Sequence, residues 1–208
     1  MLADKLKNKT AEQASLKPVT YIIEPKVLTK INVYDLSFHI NADQIVNSIC
    51  DYRNKNQKSN TSNIYAWHTC YHLHNHTKDF DTLIKVVEDR VFHSLDQTTF
   101  RKVECIESWA VMYKKGDKTV RHKHSDQQYS AVYYAKAEQN AAPIKFDNHL
   151  SITPKTGMLV CFPGWLFHSV SEITDDQERI CMAFNLNCSM TDTRYAMYGH
   201  GIQDRIRL

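Results

Sequence analysis

Three histidines and one arginine are the side chains whose types and spacing invite chemistry. His122 and His124 stand in "YKKGDKTVRHKHSD", one residue apart and just after a glycine turn. Alternation along a strand places Val120, His122 and His124 on one face and Thr119, Arg121 and Lys123 on the other, so the two imidazoles point the same way. His168 follows the Pro163-Gly164 turn in "PGWLFHSV", at the start of another strand, and Arg179 opens "RICMAFNLN". Imidazoles brought together from separate strands suit a divalent transition metal. A planar guanidinium suits a carboxylate. Any one of these histidines, taken alone, is more often a structural residue than a ligand. Their conjunction with Arg179 inside one barrel is much harder to explain that way.

Such a barrel must come from the elements around them. "NADQIVNSICDYRNK" places Asn41 as an N-cap before Ile45, Val46, Ile49 and Tyr52 at helical spacing. "FDTLIKVVEDRVFHSL" repeats Phe80, Leu83, Ile84, Val87, Val91 and Leu95 at intervals of three and four, which predicts a second helix with one apolar stripe. From Val103 onward the pattern becomes short alternating or apolar runs: "ESWAVMY", "TVRHKH", "YSAVYYAKA", "APIKFD", "GMLVCF", "LFHSVSEI" and "RICMAFNLN". Strands of this length predict an antiparallel sheet closed into a jelly roll, with the helices on one outer face. In the last strand Ile180, Met182, Phe184 and Leu186 share one side, while Arg179, Cys181, Ala183, Asn185 and Asn187 share the other. That polar side is either solvent-facing or the wall of a ligand cavity, and the pattern alone does not choose. Upstream, "TYIIEPKVLTKINVY" reads as extended segments broken at Pro25, and residues 1–17 as a loosely held arm. The expected organisation is therefore an arm over 1–17 and one domain over 18–208, with helical support at about 41–97 and the jelly-roll core at about 103–190.

With 42% apolar residues in 208, the chain can bury a core of ordinary size. Its net charge of +3 is too small to imply a polyanionic partner, and no nucleic-acid partner is expected. The six cysteines show no CxxC spacing, and no apolar run approaches the roughly 18 to 20 residues needed to cross a bilayer. These features predict reduced thiols, no membrane partner and a cytoplasmic protein.

The stretch from about Glu107 to Asn187 resembles the iron(II) and 2-oxoglutarate dependent oxygenases, in particular the prolyl-hydroxylase-like branch and short oxygenases of phages and marine bacteria. "YKKGDKTVRH" is similar to a Y-x-x-G-x5-H lead-in to the first metal ligand, through Tyr113, Gly116 and His122. "YSAVYY" is similar to the strand that follows. "PKTGMLVCFPGWLFH" is similar to the P-x-x-G approach to the second histidine, and "RICMAFN" to the strand bearing the cosubstrate-binding arginine. The resemblance implies a mainly β fold, the double-stranded β-helix or cupin-like jelly roll, with flanking N-terminal helices. It also implies Fe(II) as cofactor, 2-oxoglutarate as cosubstrate and ascorbate as an accessory reductant. The activity implied is hydroxylation of an unactivated C–H bond with release of succinate and carbon dioxide.

Carried over residue by residue, the resemblance makes His122, His124 and His168 the metal and catalytic set. Arg179 becomes the clamp on the distal carboxylate of 2-oxoglutarate, and Tyr113, Tyr134 and Asn185 become candidate cosubstrate or supporting contacts. One position departs from the pattern. The first motif of the family ends in H-x-D or H-x-E, and His124 occupies the carboxylate position. Three readings follow: three histidine ligands; two ligands with His124 behind them; or a slipped register in which His124 pairs with Asp126. Without a carboxylate the centre would carry one more positive charge, strengthening its hold on an anionic cosubstrate and weakening its hold on iron.

A denser cluster in "WHTCYHLHNHT", His68, His72, His74 and His76 with Cys70, lacks the cysteine pairs of a structural zinc site. It predicts a strand near the cavity mouth with His72, His74 and His76 on one face. Two other functions compete with the oxygenase: a cupin-like dioxygenase with three histidines and no 2-oxoglutarate, which would not require Arg179, and a barrel that binds a metal or small molecule without turnover. The expected substrate is a protein or peptide side chain, first of all peptidyl proline, or a small molecule; neither it nor the oligomeric state is encoded in a readable motif.

Overall fold

The structure is a computed structural model that describes residues 18–23, 29–57, 59, 62–147 and 149–190. The expected N-terminal arm and Pro25 lie outside these residues. Twelve strands are present among them: β1 (Val19–Ile23), β2 (Thr29–Asp35), β3 (Ile64–Tyr65), β4 (Trp67–His68), β5 (Phe100–Tyr113), β6 (Lys118–His122), β7 (Tyr129–Ala137), β8 (Ile144–Phe146), β9 (Leu150–Ile152), β10 (Met158–Pro163), β11 (His168–Val170) and β12 (Arg179–Met190). Two α-helices, α1 (Ala42–Lys55) and α2 (Asp81–Ser94), fall where the apolar spacing predicts them. Asn41 caps α1 by accepting a hydrogen bond from the Gln44 amide at 3.2 Å.

The strands form two sheets. A seven-stranded sheet runs in the order β1-β2-β10-β7-β12-β5-β4, and a five-stranded sheet in the order β3-β6-β11-β8-β9. From β5 to β8, and again from β9 to β12, consecutive strands alternate between them, as a double-stranded β-helix requires. β1 and β2 extend the larger sheet at its β10 edge, while β3 and β4 join opposite sheets. The segment between the helices is therefore not purely helical support: it also supplies these two short strands.

Two cores share the larger sheet. On its outer face α1 lies over β7 and α2 over β5, burying Ile45, Ile49, Leu83, Val87 and Val91 against Ile180, Met182, Phe184 and Leu186. On its inner face Trp109, Val111, Tyr134, Phe162 and Cys181 meet Ile144, Phe146, Ile152 and Val170 of the smaller sheet. β12 thus turns its apolar side to the helices, and Arg179, Cys181 and Ala183 line an internal cleft. That resolves the open question of the strand's polar face in favour of a cavity. No helix among the described residues is long and apolar enough to cross a membrane.

Candidate active site

The cleft between the sheets collects His122, His124, His168, Thr119, Tyr113, Trp109 and Arg179. His168 opens β11 and pairs directly with His122 on β6. His124 lies two residues past the end of β6. The ring centroids are 4.2 Å apart for His122 and His168, 5.0 Å for His122 and His124, and 5.3 Å for His124 and His168. One nitrogen from each ring lies within 4.8 Å of the others, so the three can hold a metal ion.

A bulge brings His122 inward. Two steps of β11, from His168 to Val170, match three of β6, from His122 back to Thr119. The extra residue breaks the simple alternation: Thr119 is buried on the cavity side, whereas Val120 is 41% exposed. The expectation that Val120 shares a face with His122 is therefore corrected, and Thr119, assigned to the opposite face, joins the cleft.

The same bends fix the imidazole protons. His122 Nδ1 lies 2.9 Å from the Val120 carbonyl and His168 Nδ1 lies 3.0 Å from the Leu166 carbonyl. A carbonyl only accepts, so both Nδ1 atoms carry the proton and both Nε2 atoms keep a lone pair for a metal. Phe162 and Phe146 stand 4.8 and 6.3 Å from the His168 ring. Burial among such groups pushes the basicity of all three histidines down, His168 well below its ordinary value and His124 to about 4. Neutral rings are the form that coordinates metal.

Gly164 holds the His124 loop in place. Its carbonyl accepts from the His124 amide at 2.8 Å, and its amide donates to the Gln128 carbonyl at 2.9 Å. A Cβ there would run into the Gln127 carbonyl oxygen and stand 2.9 Å from that of His124, both rigid backbone atoms. Gly164→Ala should cost about 1–3 kcal/mol of stability and shift His124. Thermal melts and metal titration of the variant check this; an unchanged melting temperature would contradict it.

Arg179 is 2% exposed. Its guanidinium lies 4.6 Å from the Tyr113 ring centroid and 4.9 Å from that of Tyr134, and it donates to the Tyr134 hydroxyl at 3.3 Å. Its Nε has no hydrogen-bond partner among the described residues, nor does any described carboxylate form an ion pair with it. The acidic residues near it in sequence are engaged elsewhere, Glu178 with Lys136 at 2.6 Å and Asp176 with Lys115 at 3.7 Å. Burial pushes the Tyr113 and Tyr134 phenols and the Cys181 thiol up, so all three stay neutral. A buried guanidinium without a counter-charge costs several kcal/mol, and an anionic ligand would offset that cost.

Tyr113 and Tyr134 therefore flank the arginine, and the Tyr113 hydroxyl also pairs with Thr119 Oγ1 at 2.7 Å. Asn185, expected to make a cosubstrate or a supporting contact, is engaged at the histidine end. Its amide contacts Ser130, Glu107 and His124, and it lies six positions along β12 from Arg179, about 20 Å of strand. Asp126 is exposed and outside the histidine cluster, so the slipped register is corrected. The second histidine group does not form a strand with one face. His68 is buried, bonded through Nδ1 to the Thr69 carbonyl and through Nε2 to Ser62, while His74 lies within the 3-10 turn Leu73–Asn75 that His72 and His76 flank. Trp109, Ser130 and Glu107 went unnoticed in the sequence because no motif marks them.

Residues 142–185 match the family described as "Putative 2OG-Fe(II) oxygenase". That segment contains His168, Arg179 and Asn185. A search of curated protein sequences returned no match. Among solved structures, the chain is similar to the viral collagen prolyl hydroxylase of Paramecium Bursaria Chlorella virus-1 in its 2-oxoglutarate complex, at 16% identity and a TM-score of 0.58, over 75% of this chain and 94% of that one. It is similar to HygX of Streptomyces hygroscopicus with nickel and 2-oxoglutarate bound, at 10% identity and 0.59, over 76% and 82%. A Trichoplax adhaerens prolyl hydroxylase in complex with a hypoxia inducible factor peptide fragment matches at 12% identity and 0.59, over 80% and 86%. Identities this low establish a common fold. The matched segment and that shared fold meet at the cleft described above.

Proposed function

We propose that this chain is an iron(II)- and 2-oxoglutarate-dependent oxygenase that hydroxylates an unactivated C–H bond, with peptidyl proline or another peptide side chain as its substrate. The observation that carries the reading is Arg179: a fully buried guanidinium without a carboxylate partner, in the same cleft as three converging histidines. A histidine-only metal site has no need of such a group, which disfavours the cupin-like alternative. Peptide substrates are supported by the collagen and hypoxia-inducible-factor prolyl hydroxylases that share the fold. We read residues 18–208 as one oxygenase domain, and the six free thiols as fitting a reduced, cytoplasmic compartment.

In this reading the bare nitrogens of His122 and His168 hold the iron, with His124 beside them. Arg179, the Tyr134 hydroxyl and the neighbouring Tyr113–Thr119 pair receive the distal carboxylate of 2-oxoglutarate, and the flanking aromatic rings exclude water from it. When bound, iron(II), 2-oxoglutarate and dioxygen supply the oxidation, which places one oxygen atom in succinate and the other in the hydroxylated product as carbon dioxide leaves. Incubation with iron(II), ascorbate and 2-oxoglutarate should yield succinate slowly without substrate and faster with a proline-rich peptide. Oxygen uptake independent of 2-oxoglutarate would point to the cupin-like chemistry instead.

A further inference from the structure

Asn185 sits on β12 between two strands that both engage its side chain. Its backbone pairs with Glu107 of β5 on one side and Ser130 of β7 on the other. Its Oδ1 accepts from Ser130 Oγ at 2.9 Å, and its Nδ2 donates to Glu107 Oε2 at 2.7 Å. The same Nδ2 lies 3.3 Å from His124 Nδ1. A carboxylate only accepts, so the amide atom facing Glu107 must be nitrogen, whatever His124 does. The second hydrogen of that nitrogen is the one directed to His124 Nδ1, which must then offer a lone pair. The single proton of a neutral imidazole is left on Nε2.

His122 and His168 are the reverse, with Nδ1 donating to a backbone carbonyl and Nε2 bare. Three rings of one residue type therefore present two bare nitrogens and one N–H. We propose that His124 is a hydrogen-bond donor beside the metal rather than a third ligand, and that Glu107, acting through Asn185, is the positioning residue that sets this arrangement. The inference rests on the metal site read above and refines it. A centre with two protein ligands leaves an additional exchangeable position, and a water or carboxylate oxygen bound there would receive the His124 N–H.

Titration of the metal-free full-length protein with Co(II) tests this without reference to turnover. His122→Gln and His168→Gln should each weaken Co(II) binding by at least about 100-fold, and His124→Gln, which keeps an N–H donor, by less than about fivefold. Glu107→Ala frees the Asn185 amide to turn its oxygen toward His124, drawing the proton to Nδ1 and baring Nε2. Co(II) should then bind about fivefold or more tighter, with Glu107→Asp, which keeps an acceptor-only carboxylate, closer to the wild-type value than Glu107→Ala. A purely structural role for Glu107 has no reason to tighten binding. A His124→Gln loss equal to that of His168→Gln, or weaker binding in Glu107→Ala, overturns the proposal while leaving the metal site intact. Wild-type protein that binds no Co(II) overturns both.

Discussion

Replacing Arg179 by methionine should raise the KM for 2-oxoglutarate by at least about 100-fold while leaving the unliganded protein as stable as before, or more so. Each hydrogen bond to a charged group contributes about 1.5–3 kcal/mol, and a forked pair to one carboxylate exceeds the roughly 2.8 kcal/mol that corresponds to 100-fold. The stability half of the expectation comes from the same geometry. Arg179 is buried between two neutral phenols with its Nε unpartnered, so its charge is a burden on the unliganded fold. Methionine fills similar volume without that charge. Lysine should rescue little, because a point charge on a flexible stem cannot reproduce the planar fork. Steady-state kinetics, with melts in the presence and absence of 2-oxoglutarate, separate the two effects: the cosubstrate should raise the melting temperature of the wild type and not of Arg179→Met. An unchanged KM, or a collapse of the unliganded fold, would make Arg179 a structural residue and remove the main support for the cosubstrate.

Much of this site was legible because its chemistry resides in residue types. Three histidines and an arginine on strand-like segments announce themselves, and the alternation of β12 separates Ile180, Met182, Phe184 and Leu186 from Arg179, Cys181 and Ala183 in the sequence itself. The helices were legible for a related reason: α2 repeats its apolar residues at three and four, and Leu83, Val87 and Val91 are the residues buried. What was hidden depends on register. The bulge opposite His168 and Val170 turns Val120 outward, yet nothing in "KTVRH" sets a bulged strand apart from a regular one. Glu107 reaches Asn185 only because β5 and β12 pair at that level, a contact between residues 78 apart in the chain. "HLHNH" misled for a different reason. Three polar residues at alternate positions fit an exposed strand and a turn equally well, and a strand as short as β4 leaves no periodic trace.

Loss of His168 should have the second large effect, and it divides by pH into two measurable parts. His168→Gln removes the most deeply buried of the three rings, whose Nδ1 is tied to Leu166 and whose Nε2 is left bare in the histidine cluster, so neither metal binding nor succinate formation should survive at detectable levels. In metal-free protein the same substitution should improve tolerance to acid. Burial holds the His168 imidazole well below its ordinary value of 6.5, so below that pH the unfolded chain takes the proton more readily than the folded one. The wild-type apoprotein therefore keeps its full stability above pH 6.5 and loses it progressively as the pH falls from there. The glutamine variant lacks that contribution, and its stability should fall less over the same range. Urea melts of both apoproteins from pH 7.5 to about 5 provide the comparison. Parallel loss of stability in the two proteins would mean that His168 does not resist protonation in the fold, and the neutral, metal-ready state assigned to it would be wrong.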